Sequence, residues 1–276
     1  MYEDKIILGL DISTNTIGIS LYQTDKIDWH SKGKLILIEG LILKSKEINK
    51  IKGIEALFLK KKIFEEKLKE IKLLVKTTYN KNIDYVVIET PLIQSNNAHT
   101  IAVLLQFNGI ISNVIYEDLG IVPEYITSYD ARYYSFPELV AIHVFNKKNE
   151  RRDYKEIKKC IIKNKIVLFG NYPFQIDKKQ VILEKVSEKF PDIEWKENKK
   201  GDILKSSFDG SDSIACVLGW LNKMFYNEAK LEIVDCEYDE YERYIKYTTS
   251  FKGQDSWEQR INFDFATVVF PKINRV

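Results

Sequence analysis

Residues 5–22 read KIILGLDISTNTIGISLY, and this stretch decides the fold. Lys5 to Asp11 is an apolar run that ends in a carboxylate. Ser13, Thr14 and Asn15 follow, short polar side chains of the kind that bond their own backbone and let the chain reverse. Thr16 to Tyr22 then resumes a β-branched, apolar run. Two such runs across so short a link predict paired antiparallel strands. Lys34 to Leu43 (KLILIEGLIL) extends the pair to a three-stranded meander.

Beyond the meander the period changes. Ile54, Leu57, Phe64, Leu68, Ile71 and Val75 recur at helical spacing, so residues 51–76 read as a long amphipathic helix. Asp84 to Glu89 (DYVVIE) is a short buried strand that again closes on an acid. Past the Thr90–Pro91 break, Asn96 to Tyr116 is apolar over a wide arc, which predicts a helix buried or at an interface. Val122 to Thr127 is the fifth strand. Helices are expected at Lys178–Phe190 and Ser211–Tyr226. The first and fourth strands are joined through a helix, so they can lie side by side and parallel. The expected fold is α/β, a mixed five-stranded sheet of three antiparallel strands then two parallel ones, flanked by helices. Residues 1–227 would form this domain, with an insertion near 138–176, and 228–276 would be a C-terminal extension of unassigned role.

Composition narrows the function classes. A chain of 276 residues with 45% hydrophobic and 30% charged residues is neither disordered nor membrane-like. No uninterrupted apolar run reaches the ~18 residues of a membrane span, and MYEDKIILGL has no signal pattern. The 42 basic and 40 acidic residues leave a net charge of +2, which excludes a uniformly basic coat but not a local basic face. Candidate patches are Lys60–Lys62, Lys147–Arg152, Lys178–Lys179 and Lys199–Lys200. Cys160, Cys216 and Cys236 form no CxxC or zinc spacing and suit a reducing interior.

The chemistry lies in four acids. Asp11 and Glu89 close the two strands expected to be parallel neighbours, so both emerge at the edge where open α/β sheets bind ligands. Asp209 and Asp212 stand three apart at the start of a late helix, on one face of a turn. Each has a plain alternative: a turn residue, an edge acid or a helix cap. Gathered together they would repel and take up protons. A hard divalent cation removes that repulsion, and two such ions ~4 Å apart suit in-line phosphodiester cleavage.

These segments resemble the motifs of RuvC-type Holliday junction resolvases, nucleases of the RNase H-like superfamily. GLDISTNTIGIS is similar to the first motif, and DYVVIETPLIQSNNAHTIAVLLQFNGII to the second. EYITSYDARYY, IDKKQVILEKV and FDGSDSIACVLGWLN resemble the later ones, over roughly residues 5–227 in all. The resemblance implies Asp11, Glu89, Asp209 and Asp212 as catalytic, metal-binding acids, with Asp11 shared between two Mg²⁺ ions and Mn²⁺ as a substitute. It implies nucleic-acid contacts from Lys178, Lys179, Arg132 and Asn97, a branched-DNA substrate, a homodimer with residues 97–116 as candidate interface, no membrane partner and a cytoplasmic location. The sequence departs from the family's pattern in lacking an aromatic after Glu89 and a basic residue soon after SYDAR. Three alternatives stand beside it. One is a nuclease of the same fold acting on flaps, forks or RNA–DNA hybrids. Another is a non-catalytic nucleic-acid-binding relative. The last is an actin- or sugar-kinase-like ATPase, disfavoured because the chain has no Gly-Gly pair.

Overall fold

The computed structural model describes residues 4–25, 33–45, 48–91, 97–136, 178–226, 230–238 and 244–252. Strand β1 (Ile6–Ile12) is the centre of a five-stranded sheet, and every residue in it except Asp11 is buried. A strand covered on both faces needs apolar side chains on both, which is why IILGLDI shows no alternation. On one side β1 pairs antiparallel with β2 (Thr16–Thr24), from Ile6 opposite Gln23 to Ile12 opposite Ile17. β3 (Gly33–Ile42) pairs antiparallel with β2. On the other side β4 (Tyr85–Glu89) lies parallel to β1, and β5 (Glu124–Ile126) parallel to β4. The order β3-β2-β1-β4-β5 is the expected mixed sheet, three antiparallel strands then two parallel ones.

Both faces are covered by helices. Ile6, Leu8 and Leu10 point to one face. They meet α1 (Ile54–Tyr79) through Phe64, Leu68 and Ile71, and α2 (Ala98–Leu119) through Phe107, Ile111 and Ile115. Ile7 and Val87 point to the other face. There they join α3 (Ser128–Ser135), α4 (Lys178–Lys189) and α5 (Lys205–Tyr226) through Ala131, Ile182, Val186, Ile214, Val217 and Leu221. By length and composition alone α2 is also apolar enough to cross a membrane.

Three regions differ from the sequence-based expectation. Helix α5 begins at Lys205, six residues before Ser211, so Asp209 lies inside the helix and does not open it. Ser206, Ser207 and Gly210 are poor helix formers; packing holds this turn in place. A Cβ on Gly40 would stand 2.1 Å from the Ser206 carbonyl oxygen, and one on Gly18 1.9 Å from that of Asp209. Helix α3 (Ser128–Ser135) follows the fifth strand where no helix is expected from the sequence. Thr127 caps it, its hydroxyl accepting from the Asp130 amide at 3.0 Å. In the C-terminal region, β6 (Lys230–Tyr238) and β7 (Tyr244–Lys252) form an antiparallel hairpin where no period was legible. The expected insertion at 138–176 lies outside the described residues.

Candidate active site

Leu10 pairs with Ile88 in parallel register, so the next residues, Asp11 and Glu89, leave adjacent strands at the same edge. Glu89 in turn faces Ile126 at the end of β5. Helix α5 crosses this edge from the second face and contributes Asp209 and Asp212 from one side of its turns. The approach depends on Gly18, which sits opposite Asp11 in the sheet and leaves room for the Asp209 backbone. Asp212 is 4% exposed and the Asp209 side chain 14%.

The acids sense one another strongly. Burial raises the Asp11 carboxyl well above the usual range; the charges of Glu89, Asp212 and Asp209 raise it further, and Lys179 partly offsets them. Glu89 is pushed up to about 7, first by burial and then by Asp212, against the pull of Arg132 and Lys179. Asp212 is also raised, by burial, with Arg132 and Lys179 working the other way. The four sequence-predicted acids are thus brought into one electrostatic neighbourhood.

Among the described residues, two cations reach into it. Lys179 Nζ lies 2.7 Å from Asp209 Oδ1 and 3.4 Å from Asp212 Oδ2. Burial opposes charge on Lys179, but its bond to Asp209 and the charges of Asp212, Asp209 and Asp11 prevail and hold its pKa above the ordinary value. An Arg132 guanidinium nitrogen stands 3.8 Å from Asp212 Oδ1. Arg132 is aimed by the docking of α3 on α5. Gly219 permits the contact, since a Cβ there would be 2.5 Å from the Ala131 carbonyl oxygen. Lys223 pairs with Asp130 at 2.6 Å, and the Asn222 amide donates to the Tyr134 carbonyl at 2.6 Å.

Of the four expected nucleic-acid contacts, Lys179 and Arg132 therefore face the acids. Asn97 caps α2, its side-chain oxygen accepting from the Thr100 amide at 3.2 Å. Lys178 opens α4, and its side chain lies outside the described residues. Two further described side chains bond to these acids. The Thr16 hydroxyl donates to Asp209. The Cys216 thiol, fully buried, points at Glu89 Oε2 from 3.9 Å. Burial and then the charges of Glu89 and Asp11 push this thiol well up, so it serves as a neutral donor and not as a nucleophile. Cys216 lies four residues after Asp212, a spacing that places both on one helix face and was legible in the sequence.

Among the described residues, no group of three or more His, Cys, Asp or Glu side chains is drawn together closely enough to hold a metal as it stands. Lys179, bonded to both Asp209 and Asp212, keeps those carboxylates engaged. The donor set nevertheless fits a hard cation. Its donors are carboxylate oxygens. Among the described residues four carboxylates face two cationic side chains; burial is the main cause that raises Asp11, Glu89 and Asp212, and neighbouring carboxylate charge adds to it at Asp11.

No protein-family model and no curated protein sequence matches the chain. Several solved structures do. Thermus thermophilus RuvC in complex with a Holliday junction substrate aligns at 11% identity and TM-score 0.44, over 80% of this chain and 94% of that one. The yeast mitochondrial Holliday junction resolvase aligns at 12% and 0.41, over 80% of each chain. An Aquifex aeolicus member of the Ppx/GppA family aligns at 15% and 0.33, over 80% and 90%. At such scores none of these likenesses bears on the site, which stands on its own geometry.

Proposed function

We propose that the protein is a divalent-metal-dependent endonuclease that hydrolyses phosphodiester bonds in branched DNA, four-way junctions in particular. The observation that carries this reading is the convergence of Asp11, Glu89, Asp209 and Asp212 from three separate segments on one sheet edge, with more negative charge than Lys179 and Arg132 balance. These four acids would hold Mg²⁺ or Mn²⁺. The bound cations supply neutralisation of the carboxylates and of the substrate phosphate, and lower the pKa of water. The chain's own groups do the rest. Asp11 and Glu89, fixed by β1 and β4, set one wall of the site, and Asp209 and Asp212 on α5 set the other. Arg132, held by α3, adds positive charge that favours an anionic substrate. The Cys216 thiol and Thr16 hydroxyl orient Glu89 and Asp209.

Residues 1–227 are the nuclease region in this reading, with 138–176 inserted and 228–276 appended. Paired cuts in a two-fold junction call for two copies of the chain, and α2, with Leu105 and Tyr116 exposed, is the candidate contact. Incubating the protein with a labelled four-way junction, a linear duplex and an RNA–DNA hybrid, with and without Mg²⁺, tests the reading. Cleavage of the junction, in Mg²⁺ only, is expected. Equal cutting of all three substrates contradicts the junction preference, and no cutting of any contradicts the nuclease.

A further inference from the structure

Beside the acids, on the side of the β1–β2 turn, lies a cavity of about 480 Å³. Ser13, Thr16, Lys44, Lys179, Lys205 and Phe208 line it, together with Asp209. Three ammonium groups thus face one carboxylate, and that carboxylate already accepts from Thr16 and Lys179. Lys44 and Lys205 are exposed, and among the described residues neither forms an ion pair. Positive charge is crowded here. The Lys60 ammonium, behind the turn, is lowered first by burial and then by the charge of Lys44. The turn itself is braced. The Ser13 hydroxyl accepts from the Asn15 and Thr16 amides at 3.3 and 3.1 Å and donates to the Thr16 carbonyl at 2.8 Å. Lys60 donates to the Thr14 carbonyl at 2.5 Å. Among the described residues, then, the cavity combines a braced wall with two lysines that form no ion pair, a lining suited to an anion.

We propose that this cavity seats a backbone phosphate next to the one cleaved, with Lys44 and Lys205 as its ligands and the Phe208 ring as an apolar wall for the adjoining sugar or base. The proposal rests on the nuclease reading above and names where the strand runs. A nucleic-acid strand carries a charge about every 3.4 Å along its axis. A strand whose cleaved bond lies at Asp11 and Asp209 therefore brings neighbouring phosphates past the rim that Lys179 and Asp209 share with the cavity. An unpaired base beside Phe208 gains stacking that a small anion does not.

The test is fluorescence anisotropy of a labelled four-way junction in EDTA, over a series of KCl concentrations, with wild type and the Lys44→Gln/Lys205→Gln double variant. Loss of two phosphate contacts should weaken binding about tenfold and flatten the slope of log K against log salt by about 1.4–1.8. Lys76→Gln serves as control, since it lies sixteen residues beyond Lys60 on α1, about 24 Å along the helix. It should change neither quantity. A double variant with wild-type melting but unchanged affinity and slope overturns the proposal. So does a double variant that loses competition by ATP or inorganic triphosphate while keeping its DNA affinity, which marks a small-phosphate site. If DNA is still cut in an Asp11-dependent way in either case, the cavity assignment alone fails. Absence of any junction cleavage by the wild type in Mg²⁺ rejects the nuclease reading itself.

Discussion

Near neutral pH, where an ordinary carboxylate is fully charged, Glu89 is about half protonated, because burial and Asp212 push it up to about 7. Its folded pKa lies above the ordinary value of 4.5, so the folded state binds more protons than the unfolded one between those limits. Stability therefore falls as pH rises from about 4.5 to about 7, by roughly 2–4 kcal/mol without a cation. Glu89→Gln should remove that loss. In EDTA at pH 8 it is expected to melt above the wild type, and near pH 4 with it; a lower Tm at pH 8 would contradict the burial of this acid. The acids were legible because each closes or rides an apolar segment. Thr16 was not, since its bond to Asp209 spans 193 residues and exists only after folding.

Helix α5 reaches the sheet because glycine stands where a side chain would block it. Gly18→Ala places a Cβ 1.9 Å from the Asp209 carbonyl oxygen, backbone that cannot swing aside. It should destabilise the protein by about 1–3 kcal/mol and displace Asp209. Chemical denaturation and cleavage rate should fall together. Gly109 on α2 is the contrast, since a Cβ there meets nothing within 4 Å. Gly109→Ala should stabilise the protein by up to ~1 kcal/mol, the usual gain in an exposed helix interior. A glycine inside a strand is a recognised mark of close backbone approach, so Gly18 in TIGIS carried a readable hint. The start of α5 did not, because its Ser–Ser and Gly content argues against helix and only packing on β2 and β3 overrides it. Helix α3 was hidden in the same way. SYDARYYS is too short to show a period, and its place is set by Gly219 and the Lys223–Asp130 pair.

Across the whole molecule, acids at the two ends of β1 respond to pH in opposite senses. Asp4, just before β1, is 8% exposed and accepts from Lys81 at 2.7 Å and from the Gln23 amide. The Lys81 bond lowers its pKa, burial opposes this, and Gln23 adds to the lowering. A depressed folded pKa gives stability that is present above the unfolded value near 3.8 and is lost as pH falls through the folded one. Asp4→Asn should thus lower Tm at pH 7, and the difference should shrink in strong acid. At the other end of β1 the acid cluster destabilises as pH rises, and a cation bound there as proposed would reverse this. Mg²⁺ at a hundredfold excess over Kd should stabilise the wild type at pH 8 by about 2.7 kcal/mol, raising its Tm, and should do little for Asp11→Asn. The five-stranded sheet and its strand directions were readable from the order of apolar runs alone. The near-neutral net charge of +2 hid what the fold does with it, gathering acids at one edge and leaving Lys44 and Lys205 beside them.

The most direct measurement is the Mg²⁺-dependent cleavage rate of a labelled four-way junction by wild type, Asp11→Asn and Asp212→Asn, alongside junction binding in EDTA. The account predicts that both variants bind the junction yet cleave at least about a hundredfold more slowly, the scale of removing one charge-bearing group from a hydrolytic centre. Cleavage by either variant at the wild-type rate, or wild-type cleavage that persists in EDTA, would contradict it.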